Sequence, residues 1–475
     1  MADYHFDGTN GNDTTGNGSK ENPYRSIKAS TIGGVFNPVN ARLFIKRGTS
    51  VSVAAEIHPN GSFYLGPYGT EELDATVVYN SGGSYFIATG TGAVSTDIIR
   101  FENITLQDAN TSSNISGVYQ NNAGSGTLIV ENCKIYDFFN GIITQRGNNH
   151  QIRNCTILRF RNCGVIFEHT SVAAPSNTLI ELNYIDARLL DGTVALNDCI
   201  VLHTGSGNGT GNIIRKNVLV AGVESCVDVA TQYLGTLIED NICYARFNNT
   251  SISWADIYCA GANSKINRNL VFANYRIGIQ LAAAGIEVCN NIVVSPTGYG
   301  ASPLVYAWTG ATSANVHNNF LIGRSGYNSS LFLAAAGIVP GQYHNNYHVN
   351  YSSGASFRML AFSAADLTSW TINNNRYSIM AGSLATPFLG SQSFAQWQAR
   401  TGTPDLNSAT DTTLRLDIPL YNYIGQSFDL RRLLKLQSSN PLVGIGKHLG
   451  YSRDLNNRQF WNPPAIGPVD TYDRP

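Results

Sequence analysis

The sequence has little charge, no long apolar run and no long stretch with helical periodicity. Only 13% of its 475 residues are charged, and the formal net charge is −1. This balance excludes partners recognised by bulk charge, such as nucleic acid or an anionic membrane surface. Because no run of about 18 apolar residues occurs, we expect no membrane insertion. The opening MADYHFDGTNGND also lacks the basic start, apolar core and cleavage site of a conventional export signal.

Cysteine spacings typical of metal or redox sites are absent as well. The eight cysteines include no C-x-x-C pair. Cys133 and Cys155 directly follow recurrent asparagines, and Cys163, Cys199 and Cys226 stand where an apolar run begins. This placement is typical of small buried residues, so we predict free thiols, with neither a disulfide framework nor a metal site.

What the sequence does contain is an asparagine that recurs between two short apolar runs. The intervals range from 22 to 34 residues and average 27. The ten positions are Asn103, Asn132, Asn154, Asn183, Asn217, Asn241, Asn269, Asn291, Asn319 and Asn346. A period of this length marks a solenoid in which each repeat forms one coil stacked on the last. Asparagine suits the turns because left-handed backbone costs it little and its amide can bond to the next coil.

Within each period the apolar residues alternate as they do in strands. Segments such as VENCKIYDFFNGIITQ and INRNLVFANYRIGIQLAAAG show branched and aromatic residues in short runs bounded by Asn and Gly. We therefore predict an all-β parallel β-helix of about 10 to 13 coils with capped ends. Residues 1–60 would form the N-terminal cap and first coil, residues 61–350 the β-helix, and residues 351–475 the last coils and closing segment, with a further coil at Asn374.

Three segments carry a resemblance to a known family. They are FDGTNGNDTTGNGSKENPYRSI near the start, SFAQWQARTGTPDLNS late in the chain, and GIGKHLGYSRDLNNRQFWNPPAIGP close to the end. They resemble the pectate-lyase-like right-handed parallel β-helix superfamily, above all bacteriophage tailspike depolymerases and secreted polysaccharide-degrading enzymes. The resemblance implies a right-handed coil and a long carbohydrate lying across a strand face. For the phage members it also implies a homotrimer at the virion tail; otherwise the protein would be secreted.

Alternation along the strands predicts where chemistry would lie. If Val227 and Val229 face the interior, Asp228 faces outward. Alignment of the repeats places Asp256 and Gln280 in the same outward column. An acidic groove on one sheet of the solenoid follows from this arrangement.

Neighbouring positions extend this groove. Glu168, His203 and Tyr258 lie two positions further along their strands, and Asp198 and Glu224 lie just before theirs. The candidate catalytic residues are Asp228, Asp256 and Glu168, and the candidate substrate-binding residues are Asp198, His203, Glu224, Tyr233, Trp254, Tyr258, Arg276 and Gln280. Aromatic faces for sugar rings would come from Tyr233, Trp254, Tyr258 and Trp308.

Two carboxylate pairs fit glycoside hydrolysis, which needs one acid and one base or nucleophile. Asp228 and Asp256 on adjacent coils would be about 5 Å apart, as in a retaining enzyme. Glu168 and Asp228, two coils apart, would be roughly 9 to 10 Å apart, as in an inverting enzyme. Both pairs remain open at this point.

Three functions follow from this reading. The first is hydrolysis of a bacterial capsule, exopolysaccharide or O-antigen without a cofactor. The second is β-elimination on a uronic-acid polymer, for which calcium at Asp228 and Asp256 would neutralise the uronate. The third is a glycan-binding adhesin without catalysis, because the same fold hosts enzymes and binders.

Overall fold

The computed structural model describes residues 1–411 of the chain with several gaps. The residues left out of that range are 28–37, 55, 81–84, 90–96, 110–113, 121–125, 169–173, 188–197, 204, 222–223, 246–254, 274–276, 296–302, 324–328, 339, 363–366, 381–382, 390, 401–404 and 406. The chain forms two compact units, Met1–Leu234 and Gly235–Pro475, called here the N-terminal and C-terminal units. Residues 412–475, which make up most of the predicted closing segment, lie outside the described residues.

The N-terminal unit is built from three parallel sheets, numbered by the order in which a coil visits them. Sheet 1 contains Ala2–Phe6, Val39–Lys46, Asn60–Tyr68, Ile98–Glu102, Thr127–Glu131, Gln151–Arg153, Leu179–Glu181 and Ile213–Arg215. Sheet 2 contains Ser50–Val53, Ala75–Tyr79, Ile104–Asp108, Lys134–Tyr136, Thr156–Leu158, Tyr184–Asp186 and Val218–Ala221. Sheet 3 contains Tyr85–Thr89, Ser116–Gln120, Asn140–Thr144, Val165–Phe167, Ile200–Leu202 and Val227–Val229. Gly209–Thr210 and Tyr233–Leu234 form a small separate pair.

The C-terminal unit repeats the same plan. Its sheet 1 contains Leu237–Glu239, Lys265–Asn267, Glu287–Cys289, Asn315–His317, Gly341–His344 and Trp370–Asn373. Its sheet 2 contains Ile242–Ala245, Leu270–Phe272, Ile292–Val294, Phe320–Gly323, Tyr347–Asn350, Arg376–Ile379 and Ala409–Asp411. Its sheet 3 contains Ala255–Cys259, Ile277–Leu281, Val305–Ala307, Ser330–Ala334 and Arg358–Ala361.

Each strand pairs in parallel with the strand at the same place in the next coil. Asn140–Thr144, for example, pairs with Val165–Phe167, which pairs in turn with Ile200–Leu202. This arrangement is a parallel β-helix, as the sequence predicts. It satisfies the backbone of every interior coil through its neighbours, which is why strands of only three residues are stable here.

Apolar side chains at equivalent positions stack inside the coils. On sheet 1 one such column runs through Phe101, Val130, Ile152, Ile180 and Ile214, each at most 1% exposed. Branched side chains fit this interior because they pack well on a pleated surface. All eight cysteines are buried and none forms a disulfide, which confirms the predicted free thiols.

Helix is scarce in the described part of the chain. A 3₁₀ turn covers Leu367–Ser369, and an α-helix covers Phe394–Gln398 with a capping box between Ser393 and Gln396. Trp397 is buried and its indole N–H donates to Asp405 Oδ2 at 2.9 Å. Neither helical segment is long or apolar enough to cross a membrane.

The recurrent asparagines occupy two columns, which corrects the prediction of a single ladder. Asn103, Asn132 and Asn154 adopt left-handed backbone, with φ between 50° and 55°. In later coils this left-handed position holds Leu182 and Arg268, among other residues. It therefore does not require asparagine, although a longer side chain there carries a cost of about 1–2 kcal/mol.

The buried ladder stands one residue later. In the C-terminal unit it runs through Asn241, Asn269, Asn291, Asn319, Asn346 and Asn375. Each side-chain oxygen accepts from the backbone N–H and the amide group of the previous asparagine, at 2.9 to 3.3 Å. The further coil predicted at Asn374 exists, but Asn375 carries its ladder bonds while Asn374 is the left-handed residue.

In the N-terminal unit, cysteine takes the ladder position at the early coils. The backbone N–H of Cys155 donates to Asn183 Oδ1, and that of Asn183 donates to Asn217 Oδ1. Cysteine follows the left-handed asparagine at Cys133 in the same way. Sequence spacing merged the two columns because they are adjacent in the chain.

Candidate functional site

The outer side of sheet 3 in the N-terminal unit presents one continuous column of residues. Its register joins Tyr119, Ile143, Ile166, Val201 and Asp228 in that order. Each lies between interior residues of its own strand, as the predicted alternation requires. Val227 and Val229 are fully buried while Asp228 is partly exposed, which confirms the predicted orientation of this strand.

One end of the column is aromatic. The rings of Tyr85 and Tyr119 stack with centroids 3.9 Å apart and planes 9° from parallel. The Tyr119 hydroxyl donates to Gln145 Oε1 at 2.8 Å. Burial raises the pKa of Tyr119, with smaller contributions from Tyr85 and from the Glu168 carboxylate. Glu168 therefore lies close to this aromatic end.

The other end of the column is acidic. Asp198 precedes the strand Ile200–Leu202, and Glu224 precedes Val227–Val229. Burial, with a smaller contribution from the Glu224 carboxylate, raises the pKa of Asp228 to about 7. The strands Ile200–Leu202 and Val227–Val229 pair in register on adjacent coils. Asp198 and Glu224, which lie just before these strands, and Asp228, which lies within the second, are therefore neighbours.

Asp198 belongs to the same acidic group. Burial raises its pKa well above the usual range, and the charges of Asp228 and Glu224 add to that effect. Its Oδ1 accepts from the backbone N–H of Ser225 at 2.5 Å, which opposes the shift. The pKa of the Cys163 thiol is raised by burial first and then by these same acids. We call Asp198, Glu224 and Asp228 the acid cluster.

The chemistry of the acid cluster follows from these environments. A carboxyl group with a pKa near 7 is protonated in about half of the molecules at neutral pH, and the protonated form can release its proton to a leaving group. Burial disfavours the ionised form of Asp198, which is only 4% exposed. Glu224 is partly exposed and stands beside the proton donor. The arrangement thus supplies an acid and a second carboxyl group on one face.

The C-terminal unit presents a different column on its sheet 3. Tyr258 pairs in register with Gln280, and Gln280 with Tyr306. Trp308 follows two residues after Tyr306 and is 42% exposed. Both tyrosines are partly exposed, so this column carries aromatic surface with an amide between.

The predicted alignment of Asp256 with Gln280 is wrong. Ala255 pairs with Ile277 and Ile257 with Ile279, which leaves Gln280 opposite Tyr258. Repeat alignment failed here by two positions because both strands alternate equally well in either register. Asp256 lies between the interior residues Ala255 and Ile257, as predicted, but has no exposed surface.

Other predicted residues are placed as follows. Tyr233, in the small strand pair, has no exposed surface, so its ring is not available to a sugar as expected. His203 is exposed, and its backbone N–H donates to Phe167 O one residue before Glu168. Trp254 and Arg276 lie outside the described residues.

Sequence reasoning missed three aromatic residues on these faces. Tyr119 and Tyr306 occupy outward positions of sheet 3 strands, and Tyr85 is partly exposed and packs against Tyr119. The outward direction of Tyr119 can be predicted from strand alternation, as for Asp228, since Tyr119 lies between the interior residues Val118 and Gln120. The stacking of Tyr85 on Tyr119 depends on the side-chain directions of two coils and leaves no sequence signal.

No protein-family model matches the chain, and no curated protein sequence matches it either. Among solved structures, the Dettilon tailspike protein is 15% identical with a TM-score of 0.40, over 72% of this chain and 65% of its own. The chain thus spans slightly under two thirds of that tailspike. The AlgE6 A-module, a mannuronan C-5 epimerase from Azotobacter vinelandii, is 13% identical with a TM-score of 0.42, over 74% of this chain and 98% of its own.

A third similar structure is the GH136 lacto-N-biosidase from Eubacterium ramulus. It is 12% identical with a TM-score of 0.47, over 79% of this chain and 67% of its own. The chain is a parallel β-helix. Its sheets agree with the pectate-lyase-like architecture that the sequence resembles, on the evidence of its own strand pairing.

Proposed function

We propose that this protein binds a polysaccharide along sheet 3 and hydrolyses it at the acid cluster. The observation that carries the proposal is the position of Asp228, a partly exposed acid with a pKa raised to about 7, at the end of an aromatic and aliphatic column. A glycosidase needs such a proton donor beside a second carboxyl group. The low charge of the chain fits a neutral or weakly charged polymer better than a polyanion.

In this proposal Asp228 is the general acid. About half of the molecules carry a proton on Asp228 at neutral pH, because burial and the neighbouring Glu224 oppose ionisation and raise the pKa to about 7. Glu224 acts as the base or nucleophile, replacing Asp256 as the partner on the same unit. Asp198 is neutral and hydrogen-bonded to Ser225, so it positions the cluster. Glu168, near Tyr119, stays a prediction as an alternative partner of Asp228.

The sugar chain would lie along the column from Tyr119 to Asp228. Four steps between coils span about 19 Å at the usual strand spacing of roughly 4.8 Å. Tyr119 and Tyr85 supply aromatic surface at one end, and Gln145 supplies an amide oxygen bonded to the Tyr119 hydroxyl. Sugar rings bind such surfaces through their apolar faces while polar groups fix their orientation.

The substrate class and assembly come from the resemblance of the sequence to tailspike depolymerases. On that basis the polymer is a bacterial capsule, exopolysaccharide or O-antigen, and the protein is a homotrimer of the phage tail. Each of these statements is part of the proposal and has its own measurement. The hydrolysis step does not depend on them.

The proposal is tested by incubating the protein with a panel of bacterial capsules, exopolysaccharides, O-antigens and uronate polymers. We expect new reducing ends without the ultraviolet absorbance of an unsaturated uronate. The variant Asp228→Asn should lose at least about 100-fold in rate, the usual range for a general acid, while it retains binding. Glu72→Gln, an exposed carboxylate of the same unit, is the matched control and should cleave normally.

Other outcomes would replace the proposal. Reducing ends that appear together with unsaturated products would establish β-elimination. A polymer that binds but is never cleaved would establish an adhesin. Normal cleavage by Asp228→Asn would remove the acid cluster from the mechanism.

A further inference from the structure

A second group of ligand-type side chains lies on sheet 1 of the C-terminal unit. Cys289 pairs in register with His317 on the next coil, and Glu287 precedes Cys289 by two residues on the same strand. Val288 between them is fully buried, so Glu287 and Cys289 point to the same side. A carboxylate oxygen, the Cys289 sulphur and a His317 nitrogen all lie within 4.8 Å of one another.

These side chains are shielded from solvent and held by neighbours. Cys289 and His317 have no exposed surface, while the Glu287 side chain is 21% exposed. Cys289 Sγ lies 3.3 Å from Asn267 Oδ1. Lys265 Nζ lies 3.1 Å from Glu287 Oε1 and fixes that carboxylate from the solvent side.

The two nitrogens of His317 both face oxygen atoms. Nδ1 lies 3.1 Å from Asn318 Oδ1, and Nε2 lies 3.1 Å from Glu287 Oε1. Asn318 Oδ1 also accepts from Asn345 Nδ2 at 3.4 Å, which identifies it as the oxygen of the amide. Nδ1 can therefore donate to Asn318, and Nε2 is the ring nitrogen directed at the carboxylate.

His317 Nε2, a Glu287 carboxylate oxygen and the Cys289 sulphur converge on one another within 4.8 Å, and all three atoms are of types that bind transition metals. Zinc binds imidazole nitrogen at about 2.0–2.1 Å and carboxylate oxygen at about 2.0–2.2 Å. Two such ligands at a tetrahedral angle are roughly 3.3 Å apart. The separation of 3.1 Å between His317 Nε2 and Glu287 Oε1, which is a hydrogen-bond distance, is also close to the spacing of two zinc ligands, so a bound ion could take the place of the proton with little movement. The hydrogen bond from Nδ1 to Asn318 is the outer contact that metal-binding histidines usually make.

We propose that Glu287, Cys289 and His317 form a binding site for a zinc-type transition-metal ion. Sulphur, imidazole and carboxylate together favour zinc over calcium or magnesium, which prefer oxygen ligands. The ion would clip the strand Glu287–Cys289 to Asn315–His317 and is independent of the polysaccharide chemistry. The sequence predicted no metal site, because its cysteine and histidine spacings match no metal motif.

The test uses metal-stripped full-length protein titrated with Co²⁺ as a spectroscopic substitute for Zn²⁺. We expect an equimolar end point, a thiolate-to-cobalt charge-transfer band and tetrahedral ligand-field bands, all removed by added Zn²⁺. Cys289→Ser should abolish the charge-transfer band. His317→Gln should keep the thiol and weaken Co²⁺ binding by more than about 10-fold, the lower end for disturbing even an outer ligand contact.

The matched control is Cys243→Ser, another buried free thiol of the same unit. It should retain the full cobalt spectrum. Absence of the thiolate band in the wild-type protein, or its loss in Cys243→Ser with retention in Cys289→Ser, would overturn the proposal. If Cys289→Ser fails to fold, as judged by circular dichroism, the wild-type spectrum and the His317→Gln titration decide the question.

Discussion

At the scale of single residues, the surroundings of an acid decide what it can do. Asp228 and Asp3 are the same residue type, but Asp3 is exposed and pairs with Arg42, while Asp228 is partly buried beside Glu224. Only the second environment raises a carboxyl pKa into the neutral range. The raised pKa of Asp228 therefore results from its burial on the coil and from the charge of Glu224.

The proton of Asp228 should make stability depend on pH. The folded protein holds it up to about pH 7, whereas the unfolded chain releases it near pH 4. Between these values the folded state binds more protons, so the free energy of unfolding should fall as pH rises. Asn does not ionise, so the free energy of unfolding of Asp228→Asn should not fall in this way between about pH 4 and pH 7. At pH 8 the variant should be more stable than wild type by on the order of a few kcal/mol.

Urea unfolding of both proteins between pH 4 and 8 measures this difference. Glu72→Gln should follow the wild-type curve at every pH. A difference between Asp228→Asn and wild type that stays constant with pH would show that Asp228 has an ordinary pKa.

Part of the candidate site was predictable from sequence, and the reason lies in these residues. Asp228, Asp198 and Glu224 were all found, since alternation and strand starts depend on neighbouring residues alone. In the sequence-based prediction, Asp228 pairs with either Asp256 or Glu168, and Asp198 and Glu224 are substrate-binding residues of the same groove. Which carboxylates meet depends on the path of the turns before each strand, and the sequence carries no spacing rule for those.

At the scale of elements, the asparagine ladder fixes one coil to the next. Asn291 accepts from the backbone and side chain of Asn269, and its amide donates to Asn319 Oδ1 and Ile266 O. A buried amide with this many partners stabilises the turn and also sets its conformation. The ladder thus specifies where each coil turns from sheet 1 to sheet 2.

Replacing one rung should therefore be costly. Asn291→Ala leaves buried donors of Asn269 without their acceptor, so we expect a loss of about 2–5 kcal/mol in the free energy of unfolding. Gln342→Ala, an exposed amide on sheet 1 of the same unit, should change it by less than about 0.5 kcal/mol. Equal losses in chemical denaturation would show that the rung has no special role.

The ladder also shows why element positions were only partly predictable. The recurrence of asparagine gave the correct period, but Asn154 and Asn183 lie in different columns. Both columns favour asparagine, one for its left-handed backbone and the other for its amide. Composition alone therefore does not distinguish them, whereas the hydrogen bonds do.

At the scale of the whole molecule, the fold class was predictable because it repeats. The strand signal of a single repeat is weak, but its recurrence over many repeats makes the fold class clear. The parallel pairing of Asn140–Thr144 with Val165–Phe167 on the next coil is what this period predicts. Registers between strands were less certain, as Gln280 shows. A slip of two residues preserves alternation and therefore leaves the apolar pattern unchanged.

The proposed assembly is testable at this scale. A tailspike-like homotrimer should give a light-scattering mass of three times the 51.4 kDa chain at micromolar concentration. The reason is the resemblance of the sequence to tailspike depolymerases, whose phage members are trimeric. Size-exclusion chromatography at several loading concentrations controls for weak association, and a mass equal to one chain would contradict the trimer.

The nearest-neighbour bonding of the ladder bears on how such a chain evolves. Asn291 bonds to the rungs directly before and after it, so a coil meets the same amide pattern whether its neighbour is original or duplicated. A gene segment that encodes one interval between rungs, such as the 22 residues from Asn269 to Asn291, is in effect a cassette. Gain or loss of such segments would change the number of coils. The acid cluster lies on other coils and would not be altered.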